Sequence, residues 1–286
     1  MRISNKMMTD MIQTNLSKLS RQMANCQQMI ATGKKINKAS DDPIGMGGVL
    51  GYRSGISAMS QYLRTIDQCK VRMELAETVL DTVESLVTQA KEIAGDTGVA
   101  NRGIWSAQTE TIRRQILELA NSRLNGNYLF SGNKSSTVAF DAAGVYQGDS
   151  GKKTYLIGDG ITVEMEADGS QIFQGGADVF AALDDLKTAL DSGDAPAISS
   201  QQVALAAVVD RIQAVRAKNA SIYSRLEKTA THLTGLKGTV EDLLSGVEGA
   251  DLEKVIIDFK TQETAYEASL AVSAQIIQKS LIDFLR

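Results

Sequence analysis

Asp41 and Asp42 are the most conspicuous pair of carboxylates in the chain, and adjacent acids can serve as metal ligands or as an acid and base couple. Here no histidine and no third acid lies close in sequence. Pro43 follows directly, and an acid before a proline at the head of a helical stretch is the pattern of an N-cap. Asp41, Asp42 and Pro43 are therefore read as a helix-capping motif. The single histidine, His232, has no second imidazole to share a zinc ion. Cys26 and Cys69 lack the spacing of a zinc or redox site, and free cysteine favours cores. GDSGKKT at 148–154 resembles a phosphate loop only superficially, because the required G-x-x-x-x-G-K-[ST] is absent. Glu164, Glu166 and Asp168 alternate along ITVEMEADG, as acids on the solvated face of one strand would. No G-x-S-x-G elbow occurs. The residue types thus supply no catalytic, cofactor or metal constellation, and the expectation is a protein that is not an enzyme.

The helical elements carry the strongest pattern. Ile12, Leu16, Leu19, Met23, Cys26 and Ile30 step by alternating fours and threes, the spacing of a coiled-coil seam. After Gly33 and the SDDP cap, a second seam runs from Ile56 to Ala90, and a helix over 45–94 would be about 75 Å long. Ile112, Ile116 and Leu119 mark a shorter helix ending at LNGN. A further helical pattern at Val179, Leu183, Leu186 and Leu190 stops near Gly193 and Pro196. The longest seam runs from Leu205 to Val247, with Asn219 and Thr229 as polar interruptions that would fix register. After Gly249, Leu252, Ile256, Phe259, Tyr266, Leu270, Ile277, Leu281 and Phe284 predict a last amphipathic helix.

Residues 131–176 differ in character. Gly and Asp recur, and VYQGD, TYLIGDG, ITVEMEA and SQIF read as short strands joined by turns. This insert looks peripheral, and its removal would spare every long seam. The fold class expected is mainly α: a long antiparallel helical bundle and a terminal coiled coil, with a small β-rich insert. The parts are an N-terminal helix (1–40), a helical bundle (41–133 and 177–250), the β insert (134–176) and a C-terminal helix (251–286).

Composition fits helix packed on helix. Six Phe, seven Tyr, one Trp and two Pro stand against 43% apolar residues, so the core must be largely aliphatic. A net charge of −4 gives no basic footprint for nucleic acid. No stretch approaches the roughly 20 apolar residues that span a bilayer. MRISNKMMTDMIQTN has no apolar region of a cleaved secretory signal.

MRISNKMMTDMIQTNLSKLSRQM and ATGKKINKASDDPIG near the start, QTETIRRQILELANSRLNGNYLFSG further on, and TQETAYEASLAVSAQIIQKSLIDFLR at the end closely resemble the flagellin superfamily of the bacterial flagellum. The resemblance covers about residues 1–133 and 177–286. DDPIG stands where filament flagellins usually read DDAAG, which favours the junction branch over filament flagellin itself. A cytoplasmic coiled-coil regulator is the other alternative. The resemblance implies an extracellular structural protein, delivered by the flagellar type III exporter and held beforehand by a cytosolic export chaperone. It implies a ring of subunits between hook-associated protein 1 and flagellin. It also implies assembly through the terminal helices, at Ile12, Leu16, Leu19, Met23, Ile30, Ile256, Phe259, Tyr266, Leu270, Ile277, Leu281 and Phe284.

Overall fold

A computed structural model describes residues 2–96, 101–165 and 168–284, with side chains described from Met7 to Gln275. Six helices dominate: α1 (Arg2–Thr32), α2 (Pro43–Gly95), α3 (Arg102–Ala120), α4 (Val179–Ser192), α5 (Ala195–Glu248) and α6 (Leu252–Phe284). Two antiparallel hairpins lie between α3 and α4: β1 (Arg123–Leu124) with β2 (Asn127–Tyr128), and β3 (Lys153–Gly158) with β4 (Ile161–Met165). The chain divides into two compact units, residues 1–57 with 236–286, and residues 58–235. Helices α2 and α5 each contribute to both.

The larger unit, 58–235, holds a conventional core. In it α2 and α5 run antiparallel, since Glu74 pairs with Tyr223 while Glu77 and Glu84 pair with Arg216. Leu80, Val83, Val87, Ile116, Leu183, Leu186, Leu205 and Ile212 are all fully buried within one cluster. Asp178 caps α4 by accepting from the amides of Phe180 and Ala181 at 2.8 and 3.2 Å, and Gly193 closes it in the left-handed conformation. Asp194 then caps α5 through the Ala197 amide, so Pro196 falls in the first turn of the helix rather than ending one.

The chain from 121 to 176 departs from its expected form in three ways. α3 ends at Ala120, ahead of LNGN, and Asn125 and Gly126, both at positive φ, make the two-residue turn of the β1–β2 hairpin. SQIF is a single wide helical turn over 170–174 instead of a strand. The adjacent Ile172 and Phe173 are both buried, against the alternation of a strand with one solvated face, and Arg211 locks the turn by donating to the carbonyls of Ile172, Phe173, Gly175 and Ala177. VYQGD forms only the Phe140–Tyr146 bridge, with Asp141 accepting from Ala143 and Val145 in a tight loop.

Nor is the insert peripheral. Phe140 lies against Phe173, Phe180 and Tyr146, with ring centroids 5.2–5.3 Å apart. Phe130, Phe140, Ile172 and Phe173 share the buried cluster of α2, α3, α4 and α5. Four of the six phenylalanines meet there, so the aliphatic seams converge on an aromatic plug to which the insert supplies Phe140 and Phe173. Excising 138–172 would remove Phe140 and Ile172 from this core, and the expectation that the insert is separable is corrected accordingly.

Phe140→Ala should therefore destabilise the larger unit by about 3–5 kcal/mol, the usual cost of truncating a buried aromatic. Urea denaturation followed by circular dichroism measures this, and a loss under about 1 kcal/mol would restore the peripheral reading.

Candidate assembly surfaces

The smaller unit, 1–57 with 236–286, pairs α1 with α6. The two helices run antiparallel: Cys26 lies near Asp258, while Ile12 and Leu16 share a groove with Tyr266 and Leu270. On α1, Ile12, Leu16, Leu19, Met23 and Cys26 are half-buried, and Ile30 is exposed. On α6 the face turned inward is Val255, Phe259, Gln262, Tyr266, Ser269 and Ser273, stepping by fours and threes. Phe259 and Tyr266 belong to this face, whereas Ile256 is 50% exposed and Leu270 stands 44% exposed at the groove's rim. The side chains of Ile277, Leu281 and Phe284 lie outside the described residues.

Sequence pattern misses four of these six positions: Val255, beside the more conspicuous Ile256, and Gln262, Ser269 and Ser273, which are polar. Small serines allow close approach of two helices but bury little apolar surface. Ser273 satisfies its hydroxyl by donating to the Ser269 carbonyl at 2.6 Å. Other large apolar side chains of α6, Leu252, Ile256, Ile257, Leu270 and Val272, are exposed, as are Met7, Met8 and Met11 on α1.

Short connections hold the helices of this unit together. Asp42 accepts from the amides of Ile44 and Gly45 at 3.1 and 2.9 Å, capping α2. Asp41 serves the preceding turn instead. Its carboxylate accepts from the amides of Asn37 and Lys38 at 3.0 and 2.8 Å, and so fixes the chain just before the cap. A Cβ on Gly45 would meet Asp42 Oδ2, and would come within 2.8 Å of Ile36 Cδ1. Glycine thus lets the capping carboxylate and the buried Ile36 close over the first turn of α2.

Glu248, at the end of α5, ties these connections together. Its side chain is 9% exposed and accepts from Lys34 at 2.7 Å and from Arg53. Its carbonyl accepts from the Lys35 amide at 2.7 Å, and the Ala250 amide donates to the Gly33 carbonyl at 2.9 Å. Desolvation works to raise the Glu248 pKa, but the hydrogen bonds and charges of Lys34 and Arg53 outweigh it and hold the carboxyl below its ordinary value. Asp251 starts α6 through the Lys254 amide.

The remaining candidate groups are occupied structurally. His232 is exposed. In the 148–154 loop, Asp149 accepts from the amides of Asn133 and Gly151, filling the loop with its own carboxylate. Glu164 is exposed, 3.8 Å from Lys152. Asp168, expected on the same solvated face, is buried and accepts from the Ser170 amide and hydroxyl, because β4 ends at Met165. Glu166 lies outside the described residues. Cys26 and Cys69 are free thiols, and burial pushes the Cys69 thiol up to about 11. Among the described residues no group of three or more His, Cys, Asp or Glu could hold a metal, and no helix is long and apolar enough to cross a membrane.

The paired terminal helices leave many of their large apolar side chains outward, while the larger unit is well filled. Residues 3–135 match the bacterial flagellin N-terminal helical region. Over 100% of both chains the sequence is 26% identical to flagellar hook-associated protein 3 of Salmonella typhimurium. It is 24% identical to the protein of the same name in Escherichia coli, over 94% of this chain and 95% of that one. A flagellar hook-associated protein from Vibrio parahaemolyticus has the same fold, with a TM-score of 0.68 at 20% identity, covering 73% of this chain and 100% of that one. The N-terminal part of the chain is thus similar to bacterial flagellin. Over the full length, the likeness is to flagellar hook-associated protein 3.

The Glu248 clasp is open to test by pH. A carboxyl whose folded pKa is depressed stabilises above its unfolded value, near 4.5, and that contribution is lost as pH falls through the folded value. Glu248→Gln should speed amide exchange at Lys35 and Ala250 by about tenfold at pH 7. It should also abolish the extra loss of protection expected of the parent protein as Glu248 takes up a proton below pH 4.5. Equal exchange in the two proteins would remove Glu248 from this role.

Proposed function

We propose that this chain forms the structural junction between the flagellar hook and filament, as a ring of subunits contacting hook-associated protein 1 on one side and flagellin on the other, without catalysing a reaction. One observation carries the reading. Of the nineteen large apolar side chains exposed among the described residues, thirteen lie in residues 1–57 and 236–286, well under half of the chain. Among the described residues the same segments bury only Ile36, Val49 and Val255 as core. Surface of that kind calls for partners. The interface assignment of Ile12, Leu16, Leu19, Met23, Ile30, Ile256, Phe259, Tyr266, Leu270, Ile277, Leu281 and Phe284 belongs to this proposal.

Export follows the same logic. A unit that cannot bury its own apolar face is a liability in the cytosol, so a chaperone groove holding the apolar face of α6 would keep the chain soluble before passage through the flagellar type III apparatus to the outside. Capping by Asp42 beside Pro43 and the fixed turn at Asp41 then set α2 against the terminal segments without any chemical role.

Two strains test the proposal. Cells lacking the chain should keep hooks and shed flagellin monomers into the medium; disappearance of the filament protein itself would identify the chain as filament flagellin instead. Cells making a chain that lacks 270–286 should also lose attached filaments, while the purified variant retains the melting transition of residues 58–235. Filaments that stay attached in the truncated strain would contradict assembly through α6.

A further inference from the structure

The larger unit carries two grooves that flank the same stretch of α5. One lies between α2 and α5 and is acidic: Met73 forms part of its apolar lining, and Glu74, Glu77 and Glu227 line it with Tyr223. Lys70 sits over the Tyr223 ring at 5.0 Å, and Arg216 is spent on Glu77, Asp81 and Glu84, so the carboxylates remain in excess. The other lies between α5 and the β3–β4 hairpin. Arg225, Lys228 and His232 line it beside Ile161, and its lining includes no carboxylate.

The opposition of these flanks follows from helix geometry. The buried seam here is Leu226 and Leu233. At about 100° per residue, Tyr223 and Glu227 fall on one side of that seam, and Arg225, Lys228 and His232 on the other. Ser224 lines both grooves, which fixes them at the same level along the helix. Glu227 and Lys228 are both exposed. Adjacent residues of one helix, about 100° apart around its axis, thus present opposite charge to two different flanks of α5.

We propose that these two flanks are the halves of one contact between copies of this chain: the acidic α2–α5 flank of one copy faces the basic flank of the next, with its Arg225, Lys228 and His232. Such a contact is heterologous, each copy using a different surface from its neighbour, and repetition closes into a ring when the rotation permits. Opposite charges on the flanks bring the correct sides together, and like charges hold acidic from acidic and basic from basic. The inference rests on the ring reading above and specifies the surfaces that neighbours use.

Charge reversal on one flank at a time tests it in cells. Glu74→Lys with Glu227→Lys leaves both flanks basic, and Arg225→Glu with Lys228→Glu leaves both acidic. Each pair should cut the fraction of cells with attached filaments by about tenfold, through like-charge opposition. A chain carrying all four substitutions again presents unlike flanks and should recover to within about threefold of the parent. Coexpression of the two one-flank variants should recover likewise. Thr78→Cys, in the acidic groove, combined with Lys228→Cys should give a ladder of oxidised multimers in sheared flagella, and neither cysteine alone should do so. Parental attachment in either one-flank strain, failure of the fourfold variant to recover while its melting transition matches the parent, or absence of the ladder would each overturn the pairing. The strain lacking the chain judges the ring reading separately: if it sheds filaments while one-flank reversals are tolerated, the junction reading stands and the groove pairing falls.

Discussion

The constraint on which this protein turns is that one of its two units does not bury its own apolar surface. Residues 58–235 enclose a cluster drawn from four helices and the insert. Among the described residues of 1–57 and 236–286, Ile36, Val49 and Val255 are the whole buried apolar set. The helices there nevertheless keep the coiled-coil period, and their order along one another is set by polar connections: the Glu248 clasp, the Asp42 cap and the Asp251 start of α6. Directional bonds specify how the chain turns, and the apolar stripes left over specify that something else must complete it. This division suits a subunit that is stable in one part and finished by its neighbours in the other.

Much of this is legible in the residues. The period of three and four exposes α1, α2 and α5, because apolar side chains at that spacing have one physical use. SDDP announces the α2 cap for the same reason, since a short acid before proline has few alternatives at a helix start. What the pattern does not show is which face of a long helix is covered. Leu236 and Leu243 continue the α5 seam without a break, yet they are 45% and 50% exposed. Seam spacing records a face capable of burial, and whether the cover comes from the same chain is a matter of tertiary structure.

Where fold and pattern part, polar and distant residues are the reason. On α6 the inward face uses Gln262, Ser269 and Ser273, which hydrophobic pattern does not count, so Ile256 and Leu270 stand out in the sequence while Val255 is the side chain that is buried. In the insert, SQIF has good local strand propensity, but Arg211, far away in sequence, gathers four carbonyls and bends it into a helical turn. The buried aromatic plug is hidden for a similar reason: single phenylalanines scattered among Gly and Asp carry no period, and only the folded chain brings them within reach of one another.

Hydrogen exchange followed by mass spectrometry, on the free protein and on sheared flagella, shows whether the smaller unit is completed by its neighbours. Peptides from 7–32 and 252–275 should exchange quickly in the free protein while those from 79–94 and 205–212 stay protected, and in the assembled flagellum the terminal peptides should become as slow as the core. Terminal peptides as protected as the core in a verified monomer would show that the smaller unit completes itself, and would contradict the account.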